Sequence, residues 1–195
     1  MLRYWKEINK PSSEPELEIF VVIKGNRKIY PKISHMIRET KHQFSVVSSI
    51  IEIMRANQYG VLDNAFNHRL RSKVQFRLLT DITKKNLSLV KVSLRQMPKT
   101  GFNFKGRNPS RGLPLFPRMA IRDEEEILYF IKGADSPEGD DENTCLWTNC
   151  KSLVQSFTVI FEELWLKSTD IQAKILEIEN GKLHSPTIFS HKEMA

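Results

Sequence analysis

The sequence predicts an α/β fold, a mostly parallel mixed sheet flanked by helices. Two observations predict it. Short β-branched or aromatic runs alternate with stretches of helical periodicity between Leu17 and Met97. The 195 residues, 40% hydrophobic and 27% charged, also carry enough apolar material for one substantial core. Parallel neighbours need crossover connections, and helices between successive strands supply them.

Residues 1–16 contain Pro11, Ser12, Ser13 and Pro15 and read as a linker or N-terminal arm. The domain spans residues 17–182. Its first strand is the apolar run 17–23, long enough to be buried, and Lys24-Gly25-Asn26 forms a turn whose Asn is suited to cap a helix. Ile29, Ile33, Met36 and Ile37 fall at i, i+4, i+7 and i+8, predicting a helix over about 28–41. A strand at 44–48 follows. The spacing of Leu62, Ala65, Phe66 and Leu70 predicts the next helix, and 74–79 the next strand. Asp81 or Thr83 caps a third helix through about Val90, and residues 92–97 alternate as a fourth strand.

Residues 98–117 are rich in Gly and Pro, with Lys99, Lys105, Arg107 and Arg111 but no acid, and predict a long loop. Short strands at 118–121 and 127–131 flank an acidic turn. Residues 135–142 read as a solvated hairpin or loop, and 145–147 as the last strand. Phe157, Phe161, Leu164 and Trp165, continued by Ile171, Ile175 and Ile178, predict one long C-terminal helix over 151–180, stopped by Gly181. Residues 183–195 read as a flexible tail.

The net charge of +7 is unevenly distributed: residues 1–122 hold 24 Lys and Arg against 8 Asp and Glu, whereas residues 123–195 hold 6 against 15. The basic residues are spread out rather than blocked together, so complementarity within the chain or between subunits is the first reading, and a basic nucleic-acid-binding module the alternative. No apolar run approaches the ~20 residues of a membrane-spanning helix, and residues 1–5 lack a secretory apolar region; a cytoplasmic protein without membrane contact is expected. Cys145 and Cys150 form an isolated C-x4-C pair with no nearby His, which reads as two reduced thiols. No phosphate-binding glycine loop, nucleophile elbow or metal-ligand cluster is present, so neither cofactor nor metal is expected.

Two stretches stand out: Phe116-Pro117-Arg118-Met119-Ala120-Ile121-Arg122-Asp123-Glu124-Glu125-Glu126-Ile127-Leu128, and Leu146-Trp147-Thr148-Asn149 followed by Phe161-Glu162-Glu163-Leu164-Trp165. With the strand-glycine-helix opening at 19–30, they resemble the C-terminal effector region of TrmB-type archaeal transcriptional regulators, which is similar to half of a phospholipase D-like domain. The resemblance covers about residues 17–180. It implies a phospholipase D-like half-domain with ligand-sensing and dimerisation roles, and a homodimer. Such regulators carry a winged helix-turn-helix before this region, whereas sixteen residues precede the first strand here. DNA contact is therefore expected only through a module outside this chain.

Catalytic phospholipase D-like members carry HxKxxxxD, whose His attacks phosphorus and whose Lys binds phosphate. With Asp123 as the acid, Arg118 stands in place of Lys and Phe116 in place of His. Phenylalanine has no lone pair for attack, so the resemblance implies no catalysis; a divergent phosphodiesterase or nuclease is the alternative. Arg118 presents a planar fork of donors to a small polar or anionic ligand, or else forms a structural pair with Asp123. Ser48, Ser49 and Asp81 follow predicted parallel strands, where α/β folds bind ligands, and Trp147 with Asn149 sits at a strand end. These residues, with Arg118 and Asp123, are the candidate ligand-binding set.

Overall fold

The computed structural model describes residues 17–110, 118–132 and 143–181. In chain order the elements are β1 (Phe20–Lys24), α1 (Asn26–Glu39), β2 (Gln43–Val47), α2 (Ile50–Gln58), α3 (Val61–Phe66), β3 (Gln75–Leu79) and α4 (Leu87–Gln96). There follow β4 (Phe104–Asn108), β5 (Met119–Arg122), β6 (Glu126–Lys132), β7 (Thr144–Thr148), α5 (Lys151–Leu166), β8 (Thr169–Asp170) and α6 (Ile171–Glu179). All eight strands join one sheet in the order β1-β7-β6-β5-β2-β3-β4-β8.

Each face of the sheet is covered because β2 and β3 present apolar side chains on both sides. Phe44, Phe76, Ala120 and Leu128 pack beneath α1 and α3 through Ile29, Met36, Ile37, Val61 and Ala65. Val47, Leu79, Met119, Ile121 and Ile127 face the other way and pack against Val154 and Phe161 of α5. A third cluster joins Ile50 of α2, Val90 of α4, and Ile171, Ile175 and Ile178 of α6. Burial of each such aliphatic side chain contributes roughly 1.5–3 kcal/mol, which offsets the entropy of ordering the layers. Among the described residues, no helix is long and apolar enough to cross a membrane. Both cysteines are buried free thiols.

The mixed α/β class agrees with the sequence, but the sheet is mostly antiparallel. Among the described strands, only β2–β3 and β3–β4 pair in parallel. The reason lies in the second half, where β5, β6 and β7 run as a meander with no helix between them; β1 closes that edge antiparallel to β7, and β5 joins β2 antiparallel. Consequently β1 is not buried: it is an edge strand, with Phe20 and Val22 each 55% exposed.

Of residues 92–97, expected as a strand, 92–96 belong to α4 and Met97 follows as its C-cap. Leu87, Val90 and Leu94 lie at helical spacing, and burial of Val90 within the third cluster decides between the two periodicities that this short run satisfies. Residues 98–117, expected as a loop, contain β4. Phe104 to Arg107 pair in parallel with Phe76 to Leu79, and Gly106 is where Ile171 of α6 comes closest; a Cβ there would lie 3.0 Å from the Ile171 Cδ1 atom. The helix α2 has no counterpart among the expected elements.

The single long C-terminal helix is replaced by two, α5 and α6. Between them Thr169 and Asp170 pair with Asn108 and Arg107 of β4, and the Asp170 carboxylate accepts the Gln172 N–H at 2.8 Å and the Ala173 N–H at 3.4 Å, capping α6. At α1, Gly25 with φ +85° occupies the cap position expected for Asn26, whose side chain turns inward instead. The arm 1–16, the loop at 135–142, the tail 183–195 and Phe116 lie outside the described residues.

Candidate functional site

The chain direction of β5 separates two polar clusters. Its first end adjoins the C-terminal end of β2, because Val47 pairs with Met119, and the N-terminal end of β7. Arg118 stands here. Its Nη1 lies 2.6 Å from Glu52 Oε2, its Nη2 donates to Asn143 Oδ1 at 3.0 Å, and its guanidinium covers the Phe130 ring at 4.3 Å. The partner of Arg118 is therefore Glu52, not Asp123.

Glu52 also receives Arg55 at 2.5 Å and the Tyr30 hydroxyl at 3.5 Å. Asn143 in turn donates to Asn26 Oδ1 at 2.6 Å, tying the start of α1 to β7. Two guanidiniums converge on one carboxylate, so the cluster carries one net positive charge. Burial, followed by the charge of Glu52, pushes the Tyr30 phenol well above its ordinary range, which keeps it a neutral donor. Burial also pushes the Cys145 thiol up to about 12, opposed by the nearby Arg118 charge; it is a protonated thiol at neutral pH and no nucleophile.

Ser48 and Ser49 reach the same end. Ser48 lies in the wall of a cavity beside Arg118, and Ser49 caps α2 by accepting the Glu52 N–H at 3.3 Å. The cap presents Glu52 to Arg118. Asp81 lies beyond β3, where its carbonyl accepts the Asn86 side-chain amide at 2.9 Å and helps to seat α4. The cavity measures about 110 Å³ and lies between the sheet face and α1 to α3.

The remaining candidates occupy the opposite end of β5. Asp123, its side chain 1% exposed, accepts the backbone N–H groups of Lys41, His42 and Gln43 at 2.7, 2.8 and 2.7 Å. Its backbone sits at φ +49°, a left-handed position that Asp tolerates. Trp147 donates its indole N–H to Glu126, while the Lys32 ammonium lies 3.9 Å from the ring centroid. Burial opposes ionisation of Glu126, yet hydrogen bonds from Arg122 and Trp147 and the Lys32 charge bring its pKa below the ordinary value. Asn149 clamps the chain leading into β1, accepting the Ile19 N–H at 2.7 Å and donating to the Leu17 carbonyl at 3.1 Å. In these positions the three side chains stabilise local structure.

Glu52, Tyr30, Arg55, Asn143 and Phe130 escaped the sequence reading. One signal for Glu52 was available, since Ser49-Ile50-Ile51-Glu52 has the spacing of a helix capping box. None marked the others, which come from α1, α2, β6 and the residue before β7. Across the sheet, buried Arg77 donates to Ser45 Oγ at 3.2 Å and engages Glu162 through two nitrogens, pinning α5. The described histidines lie elsewhere: His35 and His42 are exposed, and buried His68 accepts the Leu70 N–H at 3.0 Å. Among the described residues no three His, Cys, Asp or Glu side chains converge as a metal site.

No family model and no curated protein matches the sequence. Solved structures do resemble it. TrmBL2, an archaeal chromatin protein with a described mode of DNA binding, aligns at TM-score 0.52 and 20% identity over 87% of this chain; the chain spans 61% of the length of TrmBL2. Nuc, a phospholipase D family member from Salmonella typhimurium, aligns at TM-score 0.51 and 11% identity, over 79% of this chain and 98% of Nuc. NucT from Helicobacter pylori aligns at TM-score 0.53 and 10% identity, over 80% of this chain and all of NucT. At these identities the shared property is the fold, which is phospholipase D-like.

Proposed function

We propose that this chain is a non-catalytic effector domain of a TrmB-type regulator, acting in ligand sensing and dimerisation. The observation that carries the reading is the environment of Arg118. This side chain, in the motif position of the catalytic lysine, is held by Glu52 and Asn143 and backed by Phe130, so its charge is committed to a fixed scaffold beside a cavity. Such a rigid cation suits binding, whereas turnover needs a nucleophile within reach of the phosphate. Phe116 in the sequence position of the histidine supports the same reading.

Ligand binding at this end of the sheet acts by population shift: occupancy favours one dimer arrangement, which alters the DNA affinity of the complete regulator. The face of α5, where Val159 is 63% and Leu166 72% exposed, is the proposed contact with a second copy. DNA contact belongs to a winged-helix module outside this chain, carried on a longer chain or on a separate partner.

The test pairs two measurements on the full chain. Thermal unfolding is followed against sugars, sugar phosphates, nucleotides and polyphosphates, with Arg118→Ala as the control, and mass by light scattering is followed for the native chain and Val159→Lys. Sensing requires a shift of several degrees that Arg118→Ala loses, because a ligand at ~100 times its Kd adds roughly 2.7 kcal/mol. A monomeric native chain overturns dimerisation. Hydrolysis of a phosphodiester that Arg118→Ala abolishes makes the chain a divergent nuclease instead.

A further inference from the structure

The cavity beside Arg118 differs in character from the anion-binding role that the motif position implies. Its wall is almost wholly carbon, supplied by the sheet through Phe44 and Phe76 and by the helices through Ile33, Ala56 and Ala65. Besides the Tyr30 hydroxyl, the polar residues in the wall are Ser48, Glu52, Arg77 and Arg118. Arg77 turns to the α5 side of the sheet, where it meets Ser45 and Glu162, so the charged side chains on the cavity side are Glu52 and Arg118. A void of about 110 Å³ has no water-holding network along its carbon walls. An engineered apolar cavity of about 150 Å³ stays dry and takes up benzene or xenon, so a slightly smaller one suits a body of four to six carbons.

We infer that this cavity binds a short branched or aromatic monocarboxylate, its hydrocarbon body against Phe44, Ala65 and Phe76 and its carboxylate at the Arg118 rim. Charge favours an anionic head over a zwitterion, because Glu52 pairs with both Arg118 and, behind it, Arg55, which leaves one net positive charge on that cluster. An apolar body enters for the usual reason, removal of carbon surface from water, and the single charge fixes its orientation. The inference deepens the sensing reading by naming the ligand class of that site, and it rests on that reading.

The decisive experiment follows the thermal midpoint of the full chain with isovalerate, benzoate, isobutanol and leucine, beside the sugar phosphates and nucleotides. Both carboxylates should raise the midpoint by several degrees, and isobutanol and leucine by clearly less. Ala65→Leu, which fills the cavity from α3, should abolish the response while preserving the fold by circular dichroism; Ala56→Val is the second filling variant should Ala65→Leu unfold. Arg118→Gln should reduce the carboxylate response to that of isobutanol, and the native chain should shift the resonance of dissolved ¹²⁹Xe where Ala65→Leu does not. An undiminished carboxylate response in the filled variant overturns the inference. So does a response confined to sugar phosphates or nucleotides, which leaves sensing intact, whereas no response to any compound overturns both.

Discussion

Replacement of Asp123 separates a structural carboxylate from one that serves the Arg118 site. Its oxygens accept three backbone N–H groups, of which Gln43 is partly buried while Lys41 and His42 are exposed. A hydrogen bond to a charged acceptor is worth roughly 1.5–3 kcal/mol when water cannot replace it. The Gln43 bond counts for about 2 kcal/mol on that scale, and the two exposed bonds for about 0.5 each. Alanine at φ +49° adds about 1 kcal/mol of backbone strain. Asp123→Ala should therefore lose about 4 kcal/mol in urea unfolding followed by circular dichroism, lowering Tm by roughly 8–16 °C. Asp123→Asn keeps one acceptor and tolerates the left-handed backbone, so about half of that loss is expected. Amide exchange at Gln43 should quicken in both variants, and the carboxylate response proposed for the Arg118 cavity should be unaffected. An Asp123→Ala chain within 1 kcal/mol of the parent would refute the assignment.

Two further perturbations address the ion clusters. Glu52→Leu leaves Arg118 and Arg55 facing each other without a carboxylate, and should cost about 3 kcal/mol in urea unfolding, whereas the Glu52→Leu, Arg118→Met double variant should recover at least about 1 kcal/mol of it. Additive losses would mean that the pair is not coupled. Glu126 has a folded pKa below its ordinary 4.5, so its contribution is present above that value and disappears as pH falls through the folded one. Glu126→Gln should thus be less stable than the parent at pH 7, the gap narrowing as pH falls below the ordinary carboxylate value of 4.5, with tryptophan fluorescence as the probe. A gap that has already closed above pH 4.5 would contradict the lowered pKa.

The two ends of β5 show how far the surroundings of the candidate residues are legible in the sequence. The motif position of Arg118 is legible because spacing is a property of the chain. Its partner is not, since Asp123 is five residues away along an extended segment and points into the Lys41 to Gln43 turn, while Glu52 arrives from a helix outside the motif. Trp147 and Asn149 were read as strand-end ligand residues because strand ends bind ligands in parallel sheets. In this sheet their end belongs to an antiparallel meander and is occupied by Lys32, Glu126 and the chain leading into β1.

By itself, the sequence determined the local terms: the apolar stripe of α1, the strand runs of β2 and β3, the strands around the acidic turn, and a motif position held by Arg118. These follow from side-chain periodicity and chemistry, which act over a few residues. Tertiary structure alone decided the rest. The direction of each strand depends on which neighbour it meets, so β5 to β7 became an antiparallel meander and β1 an exposed edge. The run at 92–97 suits two periodicities, and packing of Val90 in the α2–α4–α6 cluster chose the helix. Gly106 yields a strand rather than a loop because Ile171 packs on it, the Glu52–Arg118 pair exists only where α2 meets the start of β5, and the cavity only where α1 to α3 cover the sheet. Each of these outcomes depends on contacts between residues far apart in sequence, whose free energy no local pattern encodes.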